Sequence, residues 1–261
     1  MYTKQELIRQ IREMGISSTD TVLVHTSLRA VGEMEGGADG LIDAFLEVLS
    51  EGLFLVPTHT WKTVNQPPHV YDVNSTPSCI GTLPNVAAFR KDGIRSLHPT
   101  HSIWGSGKNA EAFLRGEENA QTPAAPGGAW SRLAEANAKI LLIGVGLDKN
   151  TFIHAVEEMA EIPDRLKQEP YQVTILDESG RVIQHPYHRH YCSRCRDVSV
   201  QYTNFERPLL YHDAMKFGKL GNAQVRIVDA GKCADVLLDI FSKADWDLCI
   251  EKMEIPEEFY R

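Results

Sequence analysis

The 261-residue chain is long enough for one large domain or two small ones, and its 43% hydrophobic residues can fill a substantial core. Its formal net charge of −8 excludes the basic footprint of a nucleic-acid module and is compatible with a cationic substrate. No apolar run reaches the ~18–20 residues of a membrane span. The charged, amphipathic first residues lack the apolar stretch of a secretory signal, so a cytoplasmic protein with no membrane partner is expected. The odd set Cys79, Cys192, Cys195, Cys233 and Cys249, widely spaced, favours reduced thiols over a disulfide framework.

Taken in chain order, Thr3 and Glu6 form a capping box that opens an amphipathic helix to about Met14. Thr21–Val24 reads as a buried strand running into His25-Thr26-Ser27-Leu28-Arg29. Gly36 and Gly37 precede a helix over Ala38–Leu49, whose Leu41, Ile42, Phe45, Leu46 and Leu49 make one apolar stripe. Leu53–Val56 is a second buried strand, stopped by Pro57. Thr58–Cys79 is a long loop with aromatics, a length that in a compact chain goes with function. Gly81–Lys91 returns to a helical pattern, and short helices are expected over Gly107–Gly116 and Trp130–Ala136. Lys139–Val145 is the third clear strand. Tyr171–Leu176 and Arg181–Gln184 flank a turn with Gly180, the signature of a hairpin. A helix is expected within residues 196–217, then a strand over Ala223–Val228 and a helix over Gly231–Lys243. Strand–helix alternation followed by an antiparallel hairpin indicates an α/β core with a mixed sheet.

Several constellations carry polar chemistry. His154 and Glu157 lie three residues apart on a short helix after the third strand, so they share one helix face. Hydroxyls and backbone N–H groups in His25–Arg29, just past a strand end, suit an anion, and Arg29 adds a bidentate donor. In Ser96-Leu97-His98-Pro99-Thr100-His101-Ser102, Pro99 stiffens a loop rich in imidazoles and hydroxyls. Thr76-Pro77-Ser78 is a turn preceded by Tyr71-Asp72. His188, His190, Cys192 and Cys195 have zinc-like spacing, although the neighbouring arginines oppose a metal charge. Neither a dinucleotide fingerprint nor a P-loop nor a nucleophile elbow is present.

These motifs, in this order and across nearly the whole chain, resemble the aminoglycoside N3-acetyltransferase (antibiotic N-acetyltransferase) family. The resemblance is carried by Val24–Arg29, Gly36-Gly37, Tyr71-Asp72, Thr76–Ser78, Gly81, Ser96–Ser102, Trp104-Gly105, Leu141–Gly146 with Asp148 and Asn150-Thr151, His154 with Glu157, and Gly218–Ala223. It implies an α/β/α sandwich with a central mixed sheet and an added antiparallel hairpin, one domain over residues 1–261 with a smaller substrate-side subregion at 165–220. It implies acetyl-CoA as co-substrate and direct acetyl transfer to an amine, the 3-amino group of an aminoglycoside in the family. By motif, His154 is the general base and Glu157 its orienter. His25, Thr26, Ser27, Leu28, Arg29, Thr76, Ser78, His98, Thr100 and Ser102 line the acetyl-CoA site. Trp61, Tyr71, Asp72 and Asn150 face the acceptor. The partner is a small-molecule amine, and the protein is a monomer or homodimer.

The chain departs from the family in two respects. The segment Pro186–Tyr191 is basic and has no carboxylate, and residues 58–79 hold only Asp72 as an acid, whereas a polycationic acceptor favours several carboxylates. Competing readings are a zinc-dependent hydrolase built on His188, His190, Cys192 and Cys195, and a CoA-binding protein without turnover.

Overall fold

A computed structural model describes residues 1–243 and 254–261, so Cys249 lies outside the described residues. In chain order the elements are α1 (Lys4–Glu13), β1 (Thr21–Thr26), α2 (Leu28–Val31), α3 (Gly37–Val48), β2 (Leu53–Pro57), α4 (Trp61–Val64), β3 (Val70–Asp72), α5 (Thr82–Ala87), β4 (Ile94–Arg95), β5 (Ile103–Gly107), α6 (Ala110–Leu114), α7 (Ala129–Glu135), β6 (Lys139–Ile143), α8 (Phe152–Met159), β7 (Tyr171–Leu176), β8 (Val182–Tyr187), α9 (Glu206–Tyr211), β9 (Met215–Leu220), β10 (Ala223–Asp229) and α10 (Ala230–Lys243). The capping box forms as expected: Glu6 N donates to Thr3 Oγ1 and Thr3 N to Glu6 Oε2.

Seven strands make one mixed sheet in the order β4-β5-β2-β1-β6-β10-β9. The parallel centre is β2-β1-β6, and β5 and β10 close on it antiparallel. The central strands carry unbroken apolar runs, Val22–Val24, Leu53–Pro57 and Ile140–Ile143, because both sheet faces are covered. Side chains alternate across the sheet. Val22, Val24, Leu141 and Ile143 point to the layer of α1, α3 and α5, where they meet Leu7, Ile11, Leu41 and Phe45. Leu23, Ile140 and Leu142 point the other way, to Trp130, Phe152, Val156 and Leu237 of α7, α8 and α10. The result is the α/β/α sandwich.

The hairpin β7–β8 forms, and it is not isolated. β3, from within the long loop, pairs parallel with β7 to make a second sheet, β3-β7-β8. Val64, Tyr71, Val173, Ile175 and Tyr187 form its own small core.

The helix expected within residues 196–217 forms as α9, preceded by a 3-10 stretch Val198–Phe205, and Met215–Leu220, which the sequence reading did not mark, is an edge strand. Gly221-Asn222 is the reason: this pair links Leu220 to Ala223 as a two-residue turn and so forces the preceding segment to pair. Cys79, Cys192, Cys195 and Cys233 are unpaired thiols. No helix among the described residues is long and apolar enough to cross a membrane.

Candidate active site

The strand β6 ends at Ile143, and the chain must then turn sharply to start α8. Gly144 makes the turn at φ +66°, where a Cβ would lie 2.3 Å from that of Ala30. A 3-10 turn over Leu147–Lys149 follows, then α8. Phe152, Ile153, Ala155 and Val156 bury one side of α8 against the core. That packing fixes where the other side points, and it carries His154 and Glu157.

His154 Nδ1 lies 3.1 Å from Glu157 Oε2. Two further residues complete the arrangement. The Tyr202 hydroxyl is 2.6 Å from His154 Nδ1 and 2.5 Å from Glu157 Oε2. Arg165 Nε donates to Glu157 Oε1 at 2.6 Å, with both side chains almost wholly buried. Burial pushes the Glu157 carboxyl up, but hydrogen bonds and charge from His154, Arg165 and Tyr202 outweigh it, and the pKa falls below the ordinary glutamate value. Glu157 is therefore a carboxylate and can only accept. The single Tyr202 proton goes to Glu157, so the Tyr202 oxygen accepts from His154, whose Nδ1 must carry hydrogen. The Nε2 lone pair is left without a partner among the described residues, on a side chain that lines the main cavity.

That cavity has a volume of about 580 Å³. His25, His59, His101 and His190 line it with His154. Ring centroids step from His154 to His190 at 3.9 Å, to His101 at 5.4 Å and to His59 at 4.6 Å. Burial drives the pKa of His25 down to about 3 and those of His59, His101 and His190 well below the usual imidazole value. These four rings are neutral at physiological pH, so they surround His154 without adding positive charge. Several buried polar atoms of cavity-lining residues have no hydrogen-bond partner among the described residues: Thr26 Oγ1, both amide atoms of Asn150, His25 Nε2 and His59 Nε2. Orphan polar groups gathered on one cavity wall mark a binding site.

Of the residues singled out in the sequence, His154, His25, Thr26, Thr100, Trp61 and Asn150 line the cavity, as do His190 and Cys192 of the His/Cys cluster. Glu157 sits directly behind His154. Others serve the scaffold. Ser27 caps α2, its Oγ accepting from Ala30 N, and its own N–H donates to the Ile143 carbonyl. Leu28 packs on the core, and Arg29 is exposed outside the cavity lining. Thr76 Oγ1 accepts from Asp72 N, and Ser78 Oγ donates to the His59 carbonyl. His98 Nδ1 accepts from Thr100 N and His101 N while Nε2 donates to the Thr122 carbonyl. Ser102 Oγ donates to the Thr58 carbonyl. The expectation that Tyr71 and Asp72 face the acceptor is corrected. Tyr71 is fully buried with its hydroxyl on the Ser96 carbonyl, and Asp72 closes a turn by accepting from Asn74 N and Ser75 Oγ.

The His/Cys cluster also disperses. His188 Nδ1 donates to the Lys167 carbonyl, His190 turns onto His154, and Cys192 and Cys195 pack against the core. Among the described residues no three His, Cys, Asp or Glu side chains are placed to hold a metal ion, which removes the geometric basis of the zinc hydrolase.

Sequence reasoning missed Arg165, Tyr202 and Arg95. Buried Arg95 donates to the carbonyls of Thr58, Thr76 and Val73 and so holds the two ends of the long loop together. The sequence around it, Arg90-Lys91-Asp92-Gly93-Ile94-Arg95-Ser96, is charged and polar, so nothing marked this arginine as buried.

Comparisons with known proteins find similar chains and a similar fold. Aminoglycoside N(3)-acetyltransferase IV of Salmonella sp. is 29% identical over 236 residues, 87% of this chain and 82% of that protein. The prophage-derived aminoglycoside N(3′)-acetyltransferase-like protein YokD of Bacillus subtilis is 26% identical over 89% of this chain and 90% of its own. A crystal structure of a histidine-to-alanine mutant of aminoglycoside acetyltransferase AAC(3)-IVa in complex with a gentamicin superposes with a TM-score of 0.76 at 26% identity, covering 91% of this chain and 87% of that one. The family model for aminoglycoside 3-N-acetyltransferases matches residues 23–242. The chain is an acyltransferase and belongs to the aminoglycoside 3-N-acetyltransferase family.

Proposed function

We propose that this protein transfers the acetyl group of acetyl-CoA directly to a small-molecule amine, with His154 as general base. The observation that carries this reading is the fixed tautomer of His154: Nδ1 is held by Glu157 and Tyr202, and Nε2 is open to the cavity. The acceptor nitrogen attacks the thioester carbonyl carbon while Nε2 takes its proton. The tetrahedral oxyanion then collapses, the C–S bond breaks, and the imidazolium returns the proton to the departing thiolate. Thr26 Oγ1 and Asn150 Nδ2, both buried and without partners, are the donors for that oxyanion.

Acetyl-CoA enters beside the β1 end at His25–Arg29. The acceptor enters from the subregion at 165–220 within a single domain over 1–261. The relatives are named for the aminoglycoside 3-amino group, and a gentamicin is bound in the AAC(3)-IVa mutant. Acetylation of such an amine turns a cation into a neutral amide, which is how it would confer resistance. Acetyl-CoA is a cytosolic metabolite, so the reading goes with a cytoplasmic protein.

A free-thiol assay with acetyl-CoA and a panel of amines tests the proposal. His154→Ala is expected to lower turnover about 10²–10⁴-fold. Full turnover in that variant would remove the base assignment, and tight acetyl-CoA binding without thiol release from any amine would favour a non-catalytic binder.

A further inference from the structure

The charges on the cavity wall do not balance. The lining cations are Lys149, Arg165, Arg189 and Arg196, and the lining carboxylates are Asp148 and Asp197. Lys149 is ion-paired to Asp148 at 2.8 Å, and Arg165 is taken by Glu157. Asp197 Oδ1 accepts from the Ser199 N–H and hydroxyl, capping the following 3-10 stretch. Arg189 and Arg196 have no carboxylate partner among the described residues. Both follow α8 in the chain and line the cavity that His154 also lines. Arg189 lies within electrostatic reach of Tyr171, whose hydroxyl donates to Asn65 of the long loop, another lining residue. In a chain of net charge −8, two guanidinium groups that line one cavity without a carboxylate partner among the described residues are not a sample of the general surface.

We infer that the acceptor is an amine that also carries an acidic oxyanion group, a phosphate or a carboxylate, which Arg189 and Arg196 bind while its amine faces His154. This rests on the acetyl-transfer reading above and narrows its acceptor. A guanidinium offers paired N–H donors matched to such a group. A polycationic acceptor would bring its further ammonium groups against these two arginines in a partly dehydrated site and find Asp197 there as the one lining carboxylate outside an ion pair among the described residues.

Steady-state kinetics on four acceptors tests it: glucosamine, glucosamine 6-phosphate, muramic acid and kanamycin, each with saturating acetyl-CoA. Glucosamine 6-phosphate and muramic acid supply the two anion types on a shared amino-sugar frame. The expected order of kcat/KM places at least one of them above glucosamine, and glucosamine above kanamycin. Arg189→Ala and Arg196→Ala should each lower kcat/KM for the anionic acceptor about ten- to a hundredfold and leave the KM for acetyl-CoA within about twofold. Cooperative thermal unfolding serves as the check on folding. A higher kcat/KM for kanamycin than for either anionic sugar overturns the inference and leaves acetyl transfer standing. A KM rise for acetyl-CoA, with the acceptor KM unchanged, also overturns it by assigning the arginines to the cofactor phosphates. Thiol release from none of the four acceptors overturns both readings.

Discussion

The hydroxyl of Tyr202 lies 2.5 Å from Glu157 Oε2, and it reaches across 45 residues of chain to a carboxylate that already faces His154 on its own helix. The consequence is a defined tautomer. Without Tyr202, Nδ1 would still have Glu157, but at 3.1 Å and with freedom to rotate.

Tyr202→Phe should therefore lower kcat about tenfold, the worth of one hydrogen bond to a charged group, and leave both KM values near wild type. Nitrogen NMR of the His154 ring provides the second readout. Wild-type protein should show protonated Nδ1, and the variant a mixture. Equal kcat in the two proteins would show that Tyr202 is only a packing residue.

Arg165→Met tests the ion pair beneath the base. Removal of one partner of a buried pair leaves a dehydrated charge, which costs about 3–5 kcal/mol. Denaturant midpoints should fall accordingly. The Glu157 pKa is lowered on folding, so its contribution is complete above the ordinary value of 4.5 and is lost as pH falls through the folded value. The stability gap between wild type and Glu157→Gln should accordingly narrow as pH is lowered below 4.5. A gap independent of pH would contradict the ionised carboxylate.

Glu117 gives the opposite sign. Its Oε1 accepts from Ala129 N at the start of α7, and burial raises its pKa from 4.5 to about 7. A raised acid is stabilising below its unfolded pKa of 4.5 and loses that advantage as pH rises through about 7. Glu117→Gln keeps the acceptor and cannot ionise. It should be more stable than wild type at about pH 8 by roughly 3 kcal/mol, since a tenfold change in proton affinity is worth about 1.4 kcal/mol, and nearly equal at about pH 4. Melting curves at the two pH values decide the matter, and a constant offset would argue against ionisation of Glu117.

Arg95→Ala removes the donor to the carbonyls of Thr58, Thr76 and Val73. The Thr58 carbonyl keeps Ser102 Oγ, but those of Thr76 and Val73 lose their donor; unsatisfied buried acceptors cost about 1–3 kcal/mol each, so a loss of a few kcal/mol is expected. Limited proteolysis should then cut within residues 58–79 first. Resistance of that segment in the variant would show that other contacts hold it.

The sandwich was legible because each central strand is apolar at consecutive positions and each flanking helix shows one stripe. Thr21–Val24, Leu53–Val56 and Lys139–Val145 read directly as strands, though not their parallel pairing at the sheet centre. The pair His154–Glu157 was legible for the same reason, since both partners lie on one helix. Arg165 and Tyr202 were not, because their contacts depend on how the chain returns after α8, and a single arginine or tyrosine has no periodicity to mark it. Tyr71 and Asp72 were misread because a motif tells which residues matter and not whether they touch a ligand or shape the loop that does. β3 was hidden in the long loop because three residues, Val70–Asp72, are too few to show alternation.

That short strand ties two distant parts of the polypeptide into one wall. Val70, Tyr71 and Asp72 pair with Thr174, Ile175 and Leu176 across roughly a hundred residues of intervening chain. Closing so large a loop costs conformational entropy, which the small core of Val64, Tyr71, Val173, Ile175 and Tyr187 offsets. A chain cut short of Tyr171 would carry the strands of the β2-β1-β6 centre and His154 but neither β7 and β8 nor Tyr202, and so would lack both one side of the cleft and the hydroxyl that holds the His154 ring.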